Sequence, residues 1–248
     1  MNPIGSIAAR HAFQRVVVSL VAPLWVPLAA LYMRFGAGYR VRDLARVRRD
    51  FQSLRTETKG PLLLCANHLT LVDSFLIMWA LRSPGRLLWD VDSFAWNLPE
   101  RANFAAGRVA SALSYFAKCI PISRGGRSED TGQVLNRVVH LLRQGELALI
   151  FPEGGRSRSG RVDIDSAAWG VGRIVGSIPR CQVLCVYLRG DAQQTWGVAP
   201  ARGDQLTVSL ARIEPKSDHR GARRSRDLAR QITSQLAQME QEYFDGRQ

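Results

Sequence analysis

The sequence predicts an α/β fold, a single domain in which a mixed, mostly parallel sheet is flanked by helices. Two observations carry this prediction. Short apolar runs bounded by turn residues, as expected of buried strands, alternate along the chain with longer segments of helical periodicity. The 248 residues suffice for one sizeable core, and the sequence shows no internal repeat and no linker rich in Pro, Ser and Gly.

The N-terminal part of the chain is apolar and then basic. Residues 16–33 carry no charge between Arg15 and Arg34, and this stretch barely reaches the length of a membrane-spanning helix. Pro23 and Pro27 argue against a straight span. The arginines that follow favour the anionic head groups of lipids; they are Arg40, Arg42, Arg46, Arg48 and Arg49.

We therefore predict a hydrophobic and basic membrane-associating region at residues 1–60, followed by a second region at 61–248. A helix that lies in the membrane surface, or enters it halfway, is favoured over a true span. A helix buried in the protein core is the remaining alternative.

The elements of the sheet region follow from local patterns. The strands are predicted at 61–66, 86–91, 146–151, 183–188 and 206–212. The helices are predicted near 73–82, 130–143, 166–177 and 221–243. Pro152 ends its strand because proline cannot continue a central ladder. Gly170, Gly172 and Gly176 miss the spacing of a dinucleotide-binding motif, and we interpret them as sites of close helix packing.

The first motif is Asn-His-Leu-Thr-Leu-Val-Asp at residues 67–73, directly after a predicted strand. Residues five apart on one helix point roughly 140° away from each other, so His68 and Asp73 can meet only if the chain turns between them. The carboxylate can then fix one imidazole nitrogen and leave the other as a general base. The alternative is a capping box, with Thr70 as the N-cap and Asp73 facing the free amides of the helix.

The second motif is Phe-Pro-Glu-Gly-Gly-Arg-Ser at residues 151–157, directly after another predicted strand. Gly154 and Gly155 let the backbone approach a ligand closely, and Arg156 offers a planar donor fork that suits phosphate. For Arg158 and Arg161, which follow, a solvated turn is an equally good interpretation.

Together the two motifs resemble the glycerolipid acyltransferase family, whose best-known member acylates 1-acylglycerol-3-phosphate. Two looser matches extend the resemblance over about residues 61–190. Residues 119–124 end in Arg124, as the family's middle motif does, but Pro-Ile-Ser precedes this arginine in place of an apolar-acidic run. In the strand at 183–188, Cys185 stands where the family has proline.

The resemblance implies an O-acyltransferase domain at 61–248. Its donor would be acyl-CoA or acyl carrier protein, and its acceptor a hydroxyl of a lysophospholipid such as 1-acylglycerol-3-phosphate. His68 would be the general base and Asp73 would orient it. The residues expected at the acceptor and its phosphate are Arg124, Glu153, Gly154, Gly155, Arg156 and Ser157. No cofactor and no metal are expected, and the enzyme would work at the cytoplasmic face of a bacterial inner membrane.

Three alternatives stay open from the sequence. The same chemistry could serve another acceptor, such as an ornithine lipid precursor or a specialised lipid-like product. A nucleic-acid-binding module would suit the net charge of +13, but the sequence has no recognition motif of that class. A catalytically inactive lipid-binding relative would not need both His68 and Asp73.

The four cysteines form no Cys-x-x-Cys pair and indicate free thiols in a reducing compartment.

Overall fold

A computed structural model describes residues 3–90, 93–101, 107–123 and 128–247. Within these residues, six strands form one sheet in the order β1-β6-β5-β2-β4-β3. All neighbouring strands are parallel except the antiparallel pair β5 and β6, which confirms the predicted mixed, mostly parallel sheet. The strands are β1 (Arg40–Val41), β2 (Leu62–Ala66), β3 (Trp96–Asn97), β4 (Ala148–Ile150), β5 (Gln182–Gly190) and β6 (Gln205–Ile213).

Helices cover both sides of this sheet. In chain order they are α1 (Pro3–Leu31), α2 (Leu44–Glu57), α3 (Asp73–Leu81), α4 (Pro84–Trp89), α5 (Arg108–Phe116), α6 (Ser128–Arg143), α7 (Trp169–Gly176) and α8 (Gly221–Asp245). The four predicted helices correspond to α3, α6, α7 and α8. A π-helical turn, Tyr32–Gly36, ends the first helix.

The strand predicted at 86–91 is wrong, because residues 86–89 belong to helix α4; residue 91 lies outside the described residues. Ser83 caps the helix by accepting a hydrogen bond from the Arg86 amide, and Pro84 occupies its first turn. Proline at that position is already set for helical geometry. Leu87 alone in this helix is buried, so local capping decides its structure more than its apolar character does.

β2 shows why the sheet region needs helices on both sides. Leu62, Leu64 and Ala66 belong to one core, whereas Leu63 and Cys65 belong to the other. Successive side chains of a strand point to opposite faces, and here both faces are buried, as is typical of parallel strands. The first core is covered by helices α1 to α4, and the second by α6, α7 and α8.

The glycines of α7 allow close helix packing, as predicted. A Cβ at Gly172 would lie 1.8 Å from the carbonyl oxygen of Ser225, so α7 and α8 touch through their backbones. A Cβ at Gly176 would lie 3.3 Å from a methyl carbon of Leu228. No larger residue fits at Gly172 without separating the two helices.

α1 is half buried. Val18, Ala22, Val26 and Ala30, spaced four apart, lie against the protein, and three of them belong to the first core. The opposite face is apolar and exposed; it consists of Phe13, Val16, Leu20, Leu24, Leu28 and Leu31. The helix is neither a fully buried core helix nor free of the domain. From His11 to Gly36 it is long and apolar enough to cross a membrane, which by length and composition supports membrane association.

The arginines after α1 differ in their surroundings. Arg48 is half buried and donates to the carbonyl oxygens of Trp79 and Arg82 at 2.9 and 3.3 Å, so its guanidinium is engaged at the end of α3. Burial lowers its pKa. Arg46 pairs with Asp50 within α2. Arg40 and Arg49 are exposed.

Candidate active site

The site begins where β2 ends. Asn67 is buried directly after the strand, and its side chain makes two hydrogen bonds with the backbone of Leu188 in β5, at 2.8 and 2.9 Å. These bonds replace the backbone hydrogen bonds between strands that are lost where the chain leaves the sheet. Asn67 therefore fixes the point from which residues 68–72 turn toward α3.

His68 and Asp73 meet across this turn. The Nδ1 atom of His68 lies 3.1 Å from Oδ2 of Asp73, the first residue of α3. The same oxygen accepts hydrogen bonds from the amides of Leu69 and Thr70 at 2.6 and 2.7 Å, and the Thr70 hydroxyl bonds to Oδ1. The Thr70 side chain does not cap the helix, whose N-cap is Val72. One carboxylate thus both holds the turn and contacts the imidazole.

The imidazole is held on its face as well as at Nδ1. Its ring stacks on Phe151, with centroids 4.0 Å apart and planes inclined by 15°. The other nitrogen, Nε2, has no hydrogen-bond partner in the described part of the chain, and the side chain is 13% exposed. When Nδ1 donates its proton to Asp73, Nε2 carries the lone pair that a general base needs.

The second motif bonds to the backbone of His68. Oε1 of Glu153 accepts from the His68 amide at 3.2 Å, and the Ser157 amide donates to the His68 carbonyl oxygen at 2.8 Å. β2 and β4 are parallel neighbours, so both motifs leave the sheet at the same edge. The second motif therefore sets the position of the residue that carries the imidazole.

Glu153 faces the protein. It is 8% exposed, and its second oxygen accepts from the amide of Asp163 at 3.3 Å. Burial raises its pKa to about 7, although the two amide hydrogen bonds oppose this shift. The charges of Glu240 and Asp163 raise the pKa further. Glu153 is thus a support of the His68 turn that titrates near neutral pH.

The rest of the second motif forms a tight turn. Gly154 has a positive φ of 67°, which glycine adopts without strain, and a Cβ there would lie 3.3 Å from the Cβ of Ala168. Gly155 is half buried. The Ser157 hydroxyl is buried and accepts from the Arg161 amide at 3.1 Å, so it orders the turn.

Arg156 lies at the rim of the site. Its Nη1 donates to the carbonyl oxygen of Gly197 at 3.0 Å, and its guanidinium stacks over the ring of Trp196 at 4.6 Å. Arg158 is exposed, and Arg161 stacks over Phe244 at 3.6 Å. Arg161 is thus engaged with α8 and not with His68.

Arg124 lies outside the described residues. The residues just before it run beside β3, where the Ile120 and Ile122 amides donate to the carbonyl oxygens of Asn97 and Pro99 at 2.8 and 2.9 Å. Ile122 and Ser123 then line a cavity of about 340 Å³. Its other walls come from β4, α6, α7 and the second motif, at Leu98, Thr131, Leu135, Ile150, Phe151, Gly154, Ala168, Gly170 and Val171. The cavity is mostly apolar, and Phe151 joins it to the imidazole.

Sequence reasoning missed two contributors to this site. The role of Asn67 is not visible in its motif, because its bonds to β5 depend on the sheet order. The segment around Trp196 lies outside both motifs, but a backbone hydrogen bond of 2.9 Å joins Gly197 to Leu69. A tryptophan followed by glycine in an otherwise polar stretch was the available signal.

Comparison with known proteins bears on this arrangement. A family model described as Acyltransferase matches residues 39–189, from the residue before β1 to the last-but-one residue of β5. No curated protein matches the chain. The matched region contains both motifs, the Asn67 contact and the cavity, and it ends before Trp196.

Proposed function

Because the chain belongs to the acyltransferase family, we propose that it moves an acyl chain from a thioester to a hydroxyl of a lysophospholipid such as 1-acylglycerol-3-phosphate. The observation that carries this proposal is the His68–Asp73 contact of 3.1 Å, beside an Nε2 without a partner among the described residues. Acyl-CoA or acyl carrier protein is the donor.

The reaction needs one base and no covalent acyl-enzyme, because a thioester is already activated. Nε2 of His68 takes the proton of the acceptor hydroxyl while its oxygen attacks the thioester carbon. The tetrahedral intermediate then breaks its carbon–sulfur bond, and the departing thiolate takes the proton from Nε2. Asp73 holds the ring in the tautomer that this requires and stabilises the imidazolium between the two steps.

The cavity supports a lipid substrate. It is largely apolar, lies beside the ring that stacks on His68, and has room for a hydrocarbon segment. Arg156 and Arg124 are the groups proposed to bind the anionic head of the acceptor. Gly154, Gly155, Glu153 and Ser157 form and support the turn that carries Arg156.

We further propose that the enzyme works on the cytoplasmic face of a bacterial inner membrane, bound through the exposed face of α1. The leucines of that face can bury apolar area in the lipid interface. The free cysteines Cys65, Cys119, Cys181 and Cys185 suit the reducing compartment in which both donor types occur.

The test is transfer by the purified full chain. Labelled acyl-CoA and acyl carrier protein are each offered with 1-acylglycerol-3-phosphate and with lysolipids of other head groups, and products are identified by mass spectrometry. We expect acylated product, and about a 10²–10⁴-fold loss with His68→Ala. His219→Ala is the matched control, since His219 is exposed and outside the site. Equal transfer by wild type and His68→Ala refutes the proposed base.

A further inference from the structure

Residues 194–203, here called the bridging segment, connect the proposed active site to the end of α1. At one end, the Gly197 amide donates to Leu69 and the Val198 carbonyl oxygen accepts from Leu71, at 2.9 and 3.1 Å. At the other end, the Gly203 amide donates to the Ala37 carbonyl oxygen at 2.8 Å. The segment thus spans from the His68 turn to the residues that follow the apolar helix.

The segment is firmly seated. A Cβ at Gly160 would lie 2.3 Å from the carbonyl oxygen of Gln194, so the two backbones are in contact. Tyr39 donates its hydroxyl proton to the Pro200 carbonyl oxygen at 2.9 Å. Arg156 holds Gly197 from the second motif. The side chains that this segment exposes are therefore presented from a fixed backbone.

Those side chains are apolar. Trp196 is 44% exposed and Val198 is 67% exposed, and beside them Leu71 is 43% and Phe75 36% exposed. We call these four residues the apolar rim. Phe75 also makes an edge contact with Trp25 of α1, with ring centroids 6.3 Å apart. The rim is in this way continuous with α1, whose outer face is apolar and exposed.

Cations flank this surface. Arg34, Arg40 and Arg202 are exposed around the end of α1, and Arg202 donates to the Gly36 carbonyl oxygen at 2.9 Å. The neighbouring carboxylate of Asp204 is buried. Apolar side chains bordered by arginines match the chemistry of an anionic lipid surface, in which hydrocarbon lies beneath phosphate.

We propose that the apolar rim is a second membrane contact, which inserts into the anionic bilayer together with the outer face of α1 and places the mouth of the site at the lipid surface. The inference rests on the proposed function for its purpose, since a lysolipid could then reach His68 without leaving the membrane. The rim lies partly beyond the family match, which ends at residue 189. An acidic carrier protein is the competing occupant.

The first test is binding of the purified full chain to sedimented vesicles of phosphatidylcholine and phosphatidylglycerol. In the double variant Trp196→Asp, Val198→Asp, we expect partitioning to fall about tenfold or more, because two apolar side chains are lost from the interface. The matched control is Trp169→Asp, which changes an exposed tryptophan that contacts Arg226 of α8. Unchanged partitioning of the double variant overturns the proposal.

The second test measures contact between Trp196 and the lipid directly, and it does not depend on the folding of the double variant. Vesicles with brominated acyl chains quench the fluorescence of tryptophans that touch them. We expect Trp196→Phe, which keeps an apolar ring under Arg156, to bind like wild type but to lose part of the quenchable emission. Trp169→Phe should lose only unquenched emission. An unchanged quenchable component in Trp196→Phe overturns the proposal.

These outcomes are separate from those that test the proposed function, because neither measurement needs acyl transfer. A chain without transferase activity would still show rim-dependent binding and quenching. If instead the double variant loses transfer from acyl carrier protein while its vesicle binding equals that of wild type, and Trp196→Phe keeps the wild-type quenchable emission, the rim is a protein-docking surface and the membrane proposal falls.

Discussion

The turns that follow β2 and β4 are joined by hydrogen bonds, yet the carboxylates of the two turns receive different numbers of hydrogen bonds. Asp73 receives four hydrogen-bond contacts, from two amides, a hydroxyl and the imidazole of His68. Glu153 is also buried but receives two amides, at 3.2 and 3.3 Å. Burial accordingly raises the pKa of Glu153 to about 7. The comparison teaches that the burial of Asp73 is offset by hydrogen bonds, one of them to the residue proposed as the base, whereas Glu153 joins the two turns at some cost in charge burial.

The largest expected effect comes from Asp73→Asn. The neutral amide keeps one oxygen for the two backbone N–H groups and the imidazole, but it loses the negative charge that stabilises the imidazolium, and its NH₂ group replaces the oxygen that accepts from the Thr70 hydroxyl. We expect kcat/KM for acyl transfer to fall about 10²–10⁴-fold, and the free energy of unfolding to drop by about 1–3 kcal/mol because the charge-assisted hydrogen bonds are lost. Steady-state kinetics and denaturant unfolding measure the two effects.

Thr70→Val is the matched control for this prediction. It removes the hydroxyl contact to Asp73 while keeping both amides and the imidazole in place. We expect a loss of stability with little loss of turnover. If Asp73→Asn is destabilised in the same way but the folded protein still transfers at the wild-type rate, Asp73 only holds the turn.

A smaller effect is expected from Glu153→Gln, and it depends on pH. The pKa of Glu153 is about 7 in the folded protein against an ordinary value of 4.5. Its contribution to stability is therefore full below pH 4.5 and is lost as the pH rises through 7. Between pH 5 and pH 8 the wild type should lose stability relative to the variant, on the order of 2 kcal/mol.

Denaturant unfolding of both proteins at the two pH values checks whether the free energy of unfolding of the wild type falls relative to the variant as the pH rises. Turnover of Glu153→Gln should fall about tenfold, since glutamine has one acceptor oxygen for the amides of His68 and Asp163, and its NH₂ group opposite the other amide shifts the turn that carries the imidazole. A pH dependence that is the same in both proteins would show that Glu153 does not titrate in this range.

The sequence revealed the strands that have a local pattern of their own. β2, β4 and most of β5 are runs of apolar residues, whereas β6 alternates apolar and polar residues, and each of the four was predicted to within two residues of its observed ends. β1 and β3 were missed because each has two residues and is defined by its partner. Arg40 pairs with Gln205, and Trp96 pairs with Ala148. No local pattern encodes such a long-range pairing.

The contacts of the site also divide into those that follow from local sequence and those that follow from the order of the strands. His68 and Asp73 are close in sequence, so a turn between them could be foreseen. The bond between the His68 amide and Glu153 joins residues 85 positions apart and depends on β2 lying beside β4. Arg156 was expected to point its fork at a phosphate, but one end of that fork is already bonded to Gly197. Contacts between turns follow from the sheet order, which the motifs do not contain.

The smallest of these effects is expected from Arg156→Ala, which tests whether the second turn also binds the acceptor. One guanidinium nitrogen holds Gly197, and the others remain to bind an anion beside Trp196. We expect KM for a phosphate-bearing acceptor to rise about tenfold with little change in kcat, as loss of a charge-assisted contact predicts. Arg156→Lys should recover only part of this, because an ammonium cannot stack as the planar fork does.

The decisive measurement is the same KM for an acceptor without phosphate. If Arg156 binds the phosphate, the rise is confined to the phosphate-bearing acceptor. If Arg156 only holds the bridging segment, both acceptors are affected equally, and the phosphate site lies elsewhere. Arg158→Ala is the matched control, since Arg158 is an exposed arginine two positions along the same turn. It should leave both KM values unchanged, because within the described residues its side chain makes no hydrogen bond to Gly197 and no cation–π contact with Trp196.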